Sequence, residues 1–260
     1  MQKSEQGFTL IELLISVVIA LIITAAIFGI YANSAGTSAA MLKSSKLNQE
    51  LYSLMLVMSN DIRRAGYWKI PDNHPEYYDT PQSNPFSKFG FTELKVIDDS
   101  CILYTFDSQD DDEEAEVDLD KADVFGFRLS GDTVEMRSID PSSTIDLTKS
   151  VNSDCSQKEE WEPVTDDKLI RITELTFSLA NSQCINANEP NGQDDDADGN
   201  IDNVEELNCY DNPPADSSGE ITVETRQVTI ALEGELVNDP GVRARIVQDV
   251  RVRNDMVRVR

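Results

Sequence analysis

The sequence predicts an α+β fold, one long N-terminal helix packed against an antiparallel β-sheet. Three observations predict it. No proline occurs before Pro71. Apolar residues recur every three or four positions as far as Ala65, and in the second half of the chain that period shortens to two.

The helix begins behind a polar segment, residues 1–7, which ends in Gly7. Residues 8–31 are apolar; the stretch 13–30 carries no charge and is broken only by Ser16, Thr24 and Gly29. That is about the shortest run that crosses a bilayer as a helix. A secretory signal has a shorter apolar core, followed by a small-residue cleavage site. Here no such site follows and the helical pattern continues, so the segment reads as a retained anchor. Residues 32–66 form the second half of the helix. Leu47, Leu51, Leu54, Met55, Met58, Ile62 and Ala65 make one apolar stripe along it. A helix from Phe8 to Ala65 would be about 87 Å long at about 1.5 Å per residue. Gly66 supplies its stop.

Residues 67–260 form the globular domain. Pro71, Pro75, Pro81 and Pro85 make 67–92 an irregular loop. Strands are expected at 101–106, 124–129, 133–138, 169–179, 221–232 and 242–253. In the last of these, Val242, Ala244, Ile246, Val250 and Val252 fall on one face. Arg243, Arg245, Arg251 and Arg253 fall on the other, a solvated basic face or a dock for an acidic neighbour.

The formal charge of −26 excludes sequence-independent nucleic-acid binding by the domain as a whole. The four cysteines, Cys101, Cys155, Cys184 and Cys209, all follow the anchor. An even number in an exported domain implies two disulfides and an oxidising compartment. Three connectivities exist. Cys184–Cys209 with Cys101–Cys155 is favoured because the first pair brackets a single insertion, about 184–209, whose closure stabilises by about 3 kcal/mol.

That insertion contains an acidic loop with calcium spacing. Asp194, Asp196, Asp198, Asn200, Asp202 and Glu205 stand at positions 1, 3, 5, 7, 9 and 12 of a twelve-residue loop. Gly199 takes the sharp turn and Ile201 the apolar eighth place. Ca2+ wants six to eight oxygens, and five carboxylates with one carbonyl provide them. A lone loop of this kind would be structural. The acidic run 107–120 lacks the glycine and the spacing and reads as solvated.

The string Gly-Phe-Thr-Leu-Ile-Glu from Gly7 to Glu12 sets a carboxylate just inside the apolar helix. In hydrocarbon such a charge costs on the order of 2.5–3.5 kcal/mol and calls for a partner. The string resembles the processing site of type IV pilins and of the pseudopilins of type II secretion. That resemblance implies cleavage after Gly7 by a membrane-embedded prepilin peptidase, and N-methylation of the new N-terminal Phe8. It also implies pairing of Glu12 with the N-terminal amine of a neighbouring subunit, which makes Glu12 an assembly residue. Lys3 is opposed by Glu5 while Lys43 and Lys46 follow the anchor, so orientation rests on the resemblance and the cysteines rather than on positive-inside counting.

The segment 60–68, Asn-Asp-Ile-Arg-Arg-Ala-Gly-Tyr-Trp, together with Val252-Arg253-Asn254, resembles PilW-type minor pilins. This implies a pilin-like fold and a subunit that primes type IV pilus assembly in a tip complex with other minor pilins and the major pilin. It implies an inner-membrane precursor, in contact with lipid and with its domain in the periplasm, and later a place in the pilus at the cell surface. The nearest alternative is a J-type pseudopilin. From another class, a calcium-stabilised adhesive or ligand-binding tip module is compatible with the same residues. Enzyme function is not expected: the one histidine, His74, sits in a proline-rich loop with no nucleophile and acid arranged around it.

Overall fold

A computed structural model describes residues 9–70, 79–108, 123–137, 155–156, 160–194, 198–215 and 217–260. Gly7, Phe8, His74, Asp196 and residues 109–122 of the acidic run lie outside them. The chain divides into two compact units, Met1–Lys46 and Leu47–Arg260, and helix α1, Leu10–Ile62, contributes to both.

In the first unit every described side chain is exposed, and α1 is long and apolar enough there to cross a membrane. Two hydroxyls in its apolar stretch bond back within the helix. Ser16 Oγ donates to the Glu12 carbonyl at 2.6 Å and Thr24 Oγ1 to the Ala20 carbonyl at 2.7 Å. Back-bonding of this kind lets a hydroxyl sit in an apolar span without an orphan donor.

The second unit begins with the apolar stripe. Leu47, Leu51, Leu54, Met55, Met58, Ile62 and Ala65 are all buried, as the spacing predicts. They pack with residues of two sheets. The first has five strands in sequential antiparallel order: β1 Lys95–Ile97, β2 Cys101–Thr105, β3 Val124–Ser130, β4 Thr133–Arg137 and β5 Trp161–Pro163. The second, ordered β10-β9-β6, joins β6 Ile170–Ser178, β9 Gln227–Leu236 and β10 Asp239–Arg251. Ile102 and Tyr104 from the first sheet and Leu175, Phe177, Ile230 and Leu232 from the second share one core with the helix. Each such side chain contributes about 1.5–3 kcal/mol of burial. Gly234 on β9 marks the close approach: a Cβ there would lie 3.2 Å from Leu51 Cδ2 and 3.1 Å from the Arg171 carbonyl oxygen.

Two corrections to the sequence reading concern the sheet. The strand expected at 221–232 is two strands, β8 Ile221–Thr225 and β9, divided at Arg226. Instead of one sheet there are three, because β8 pairs with β7 Gln183–Asn186 and β11 Met256–Val259 in a sheet of its own. The register explains the division. Gln227 faces Arg251, but Glu224 faces Met256, so the returning chain carries extra residues across from Thr225 and Arg226, and the ribbon bends there. A second bulge, between Ile172 and Glu174 on β6, moves the buried positions from Ile170 and Ile172 to Leu175 and Phe177. The extra residue keeps the apolar face inward where strict alternation would turn it out.

The basic face of β10 is paired within the chain. Arg243 reaches Glu235 at 2.9 Å, Arg245 reaches Glu174 at 3.2 Å, and Arg251 reaches Asp255 at 3.8 Å. The Arg245 and Arg251 pairs are exposed and contribute at most about 1 kcal/mol each, whereas Glu235 is buried. The helix also ends earlier than expected, at Ile62 rather than Ala65. The next bonds, Arg64 N–H to the Asp61 carbonyl at 2.9 Å and Ala65 N–H to the Ile62 carbonyl at 3.1 Å, tighten the last turn.

Candidate assembly site

Glu12 stands at the third position of α1 behind Thr9. The Thr9 backbone N–H donates to Glu12 Oε2 at 3.1 Å and its hydroxyl donates to the same oxygen at 3.0 Å. In return, the Glu12 N–H meets Thr9 Oγ1 at 3.4 Å. This reciprocal arrangement is a capping box, written in the sequence as Thr-Leu-Ile-Glu. Thr9 was not singled out from sequence, although the spacing of the box was there to be seen. The box fixes a carboxylate at the positive end of the helix macrodipole.

At the other end of the helix, the two segments that resemble minor pilins meet. Arg253 N–H donates to the Arg63 carbonyl at 3.1 Å, and Asn254 Nδ2 to the Ala65 carbonyl at 3.1 Å. Asn84 Nδ2 donates to the Gly66 carbonyl at 2.8 Å, and Gly66 N–H to the Thr105 carbonyl at 2.7 Å. Two distant segments, Asn84 and Arg253–Asn254, thus supply donors to the carbonyls just past the end of the helix, while the Thr105 carbonyl accepts the Gly66 N–H. Gly66 makes this possible with φ +71°, a conformation costly to other residues.

Charged groups around this joint are bound into it. The Tyr104 hydroxyl donates to Asp61 Oδ2 at 2.6 Å, and Arg64 lies 3.6 Å from Asp61 with its guanidinium 3.9 Å above the Phe106 ring. Burial raises the Asp61 carboxyl above its ordinary range, against the Tyr104 bond and Arg64, which lower it. Arg226, at the bend between β8 and β9, is 2% exposed and donates from Nη2 to the Asn254 carbonyl at 3.2 Å. Burial lowers its affinity for the proton, and the charges of Glu224, Glu93 and Asp255 oppose that shift. Nothing in the sequence marks Arg226, which sits in an unbroken strand pattern.

The cysteines pair as Cys101–Cys155 and Cys184–Cys209. The second pair closes the insertion that contains the acidic loop. In that loop Asp194 accepts from Asp198 N–H at 3.1 Å and from Gly199 N–H at 3.0 Å, and Gly199 turns with φ +93°. Asp198 accepts from Asn200 N–H at 2.7 Å, while Asp202 accepts from Asn191 N–H at 2.8 Å and Gly192 N–H at 2.9 Å. Glu205 lies in the first turn of α2, Val204–Leu207, which is capped by Asn203. Among the described residues no three acidic side chains gather as a metal-ion cluster, and Asp196 lies outside them.

Two family comparisons bear on these features. Residues 2–28 match the prokaryotic N-terminal methylation motif, and residues 40–252 match prepilin peptidase-dependent protein B. No curated protein and no solved structure matches the chain. The methylation motif belongs to structural, pilin-like proteins rather than enzymes, and with the apolar N-terminal helix it fits a membrane-anchored pilin. The chain is therefore a type IV pilin-like protein that belongs to the prepilin peptidase-dependent protein B family.

Proposed function

We propose that the chain is a minor pilin of the PilW type, which primes assembly of a type IV pilus from a tip complex with other minor pilins and the major pilin. The observation that carries this reading is Glu12, held by Thr9 at the start of an exposed apolar helix. Prepilin peptidase removes residues 1–7 after Gly7, and Phe8 becomes the methylated N-terminus. Residues 8–31 anchor the precursor in the inner membrane, residues 32–66 continue the helix, and residues 67–260 form the periplasmic domain. The disulfides support that compartment. A free amine and a carboxylate, each costly in lipid, offset one another when the N-terminus of one subunit meets Glu12 of the next. Glu12→Ala should leave cleavage intact and prevent incorporation into pili, scored by immunoblot of cells and of sheared filaments. Normal incorporation of the variant would refute the role of Glu12.

A J-type pseudopilin of type II secretion is the second reading, favoured by the same N-terminal string. Deleting the gene in its native host separates the two. Lost pili with normal secretion supports the minor pilin; normal pili with substrates held in the periplasm supports the pseudopilin. In either machine the insertion 184–209 is proposed to bind Ca2+ through Asp194, Asp196, Asp198, Asn200, Asp202 and Glu205. The Gly199 turn and the placement of Glu205 at the start of a helix support this. The same ion would shape any adhesive surface that the tip presents.

A further inference from the structure

The globular unit carries a groove of about 480 Å³ between the edge of the first sheet and a face of the third. That size falls within the usual range for ligand sites. On the first-sheet side it is lined by four consecutive residues, Glu93 and Leu94 leading into β1 and Lys95 and Val96 within it. Successive strand residues point to opposite faces, so a cavity that meets both Lys95 and Val96 reaches the edge of β1. β1 is the outermost strand of its sheet, paired with β2 on one side only. No described residue makes a backbone hydrogen bond to the other side of β1. An open edge of this kind is a template for an added strand.

The chemistry of the groove selects what is added. Lys95, Arg258 and Arg260 line it, against Glu93 and Glu224. Both carboxylates are engaged from within. Glu224 accepts from the Tyr210 hydroxyl at 2.5 Å, Glu93 accepts from Gly90 N–H at 3.2 Å and is attracted by Lys95, and the buried Arg226 guanidinium attracts both. Arg258 is held over the Phe89 ring at 3.7 Å, and Arg260 Nε is buried with no hydrogen-bond partner among the described residues. In a chain of formal charge −26, this groove sets three cations against two carboxylates. Leu94, Val96, Leu179 and Met256 supply apolar contacts beside them.

We propose that this groove binds an extended acidic peptide segment of a partner protein, which adds a strand to the open edge of β1 and sets its carboxylates against Lys95, Arg258 and Arg260. Backbone pairing gives affinity, and the cations with the apolar floor give selectivity for acidic residues alternating with apolar ones. The proposal does not depend on the pilus reading, because it concerns the globular unit and not the N-terminal helix.

The test uses the full chain in uncharged detergent micelles, with empty micelles as the blank. The probe is a fluorescent, end-blocked heptapeptide in which valine alternates with glutamate and aspartate. It is compared with a counterpart carrying lysine at the acidic positions, and with the acidic peptide N-methylated at alternate amides. Fluorescence anisotropy should show the acidic peptide binding at least about tenfold more tightly than either comparison peptide, and more weakly as salt rises. Lys95→Glu, at an exposed position, should weaken it severalfold. Absence of binding by the acidic peptide, or equal binding of the lysine peptide, overturns the proposal. Equal binding of the N-methylated peptide overturns it as well, because the groove would then be an anion site without strand addition.

Discussion

Gly66 offers a measurement of how tightly the joint at the end of the helix is built. A Cβ at this position would sit 3.1 Å from Arg226 Nη2, 3.4 Å from Ser87 Cβ and 3.6 Å from Asn254 Cβ, at φ +71°. Gly131, in the turn between β3 and β4, has a similar φ of +64° but open space around its Cβ position. Gly131→Ala should therefore cost only the left-handed backbone term, about 1–2 kcal/mol. Gly66→Ala incurs the same term and also displaces a buried guanidinium from the Asn254 carbonyl, a charge-assisted bond that contributes about 1.5–3 kcal/mol. The difference between the variants should be about 2 kcal/mol. For a unit of this size that is a melting midpoint roughly 4–8 °C lower for Gly66→Ala than for Gly131→Ala. Near-ultraviolet circular dichroism of the full chain in micelles, with disulfides intact, reads the globular unit. Equal shifts for the two variants would show that the guanidinium yields freely, and the account of the joint would be wrong.

Two further perturbations test other parts of the structure. Because the folded-state pKa of Asp61 is raised above its ordinary value near 3.8, its contribution is most favourable below that value and is lost as pH rises through the window just above it. Stability relative to Asp61→Asn should fall across that window in parallel urea titrations; a flat or rising difference would contradict the burial of the charge. Calcium at about one hundred times its dissociation constant should raise the melting midpoint by roughly 5–10 °C, the equivalent of about 2.7 kcal/mol. No rise, or the same rise in Asp198→Ala, would count against the acidic loop.

How far the sequence foretells this molecule depends on how many residues state the same thing. The apolar stripe from Leu47 to Ala65 has seven members at helical spacing, and all seven are buried. β10, Asp239–Arg251, alternates from Val242 onward, which is where the sequence pattern begins. Strands β1 and β5 have three residues each, and β7 and β11 four, too few to display a period. They emerge only because longer strands offer them an edge. The division at Arg226 was hidden for a different reason: no glycine or proline stands between Ile221 and Leu232, and the bend arises from extra residues on the returning strand. At the N-terminus the motif named Glu12, and the capping role of Thr9 lay in the same four letters.

The two segments that resemble minor pilins lie about as far apart in sequence as the globular unit allows, yet Asn254 Nδ2 bonds the carbonyls of Arg64 and Ala65. They are two halves of one cap. A helix that ends inside a fold leaves carbonyls which must find donors, and two of the donors here, Arg253 N–H and Asn254 Nδ2, come from the returning chain at the bend across from Arg226. The same bend sends the ribbon away from the second sheet as β8 and β11, and those strands form one wall of the groove beside β1. The groove thus follows from how the helix is finished. Displacing the buried guanidinium should loosen the groove as well as the cap, so Gly66→Ala should weaken binding of the acidic heptapeptide at temperatures where the variant is still folded. Unaltered peptide affinity in that variant would show that cap and groove are built independently.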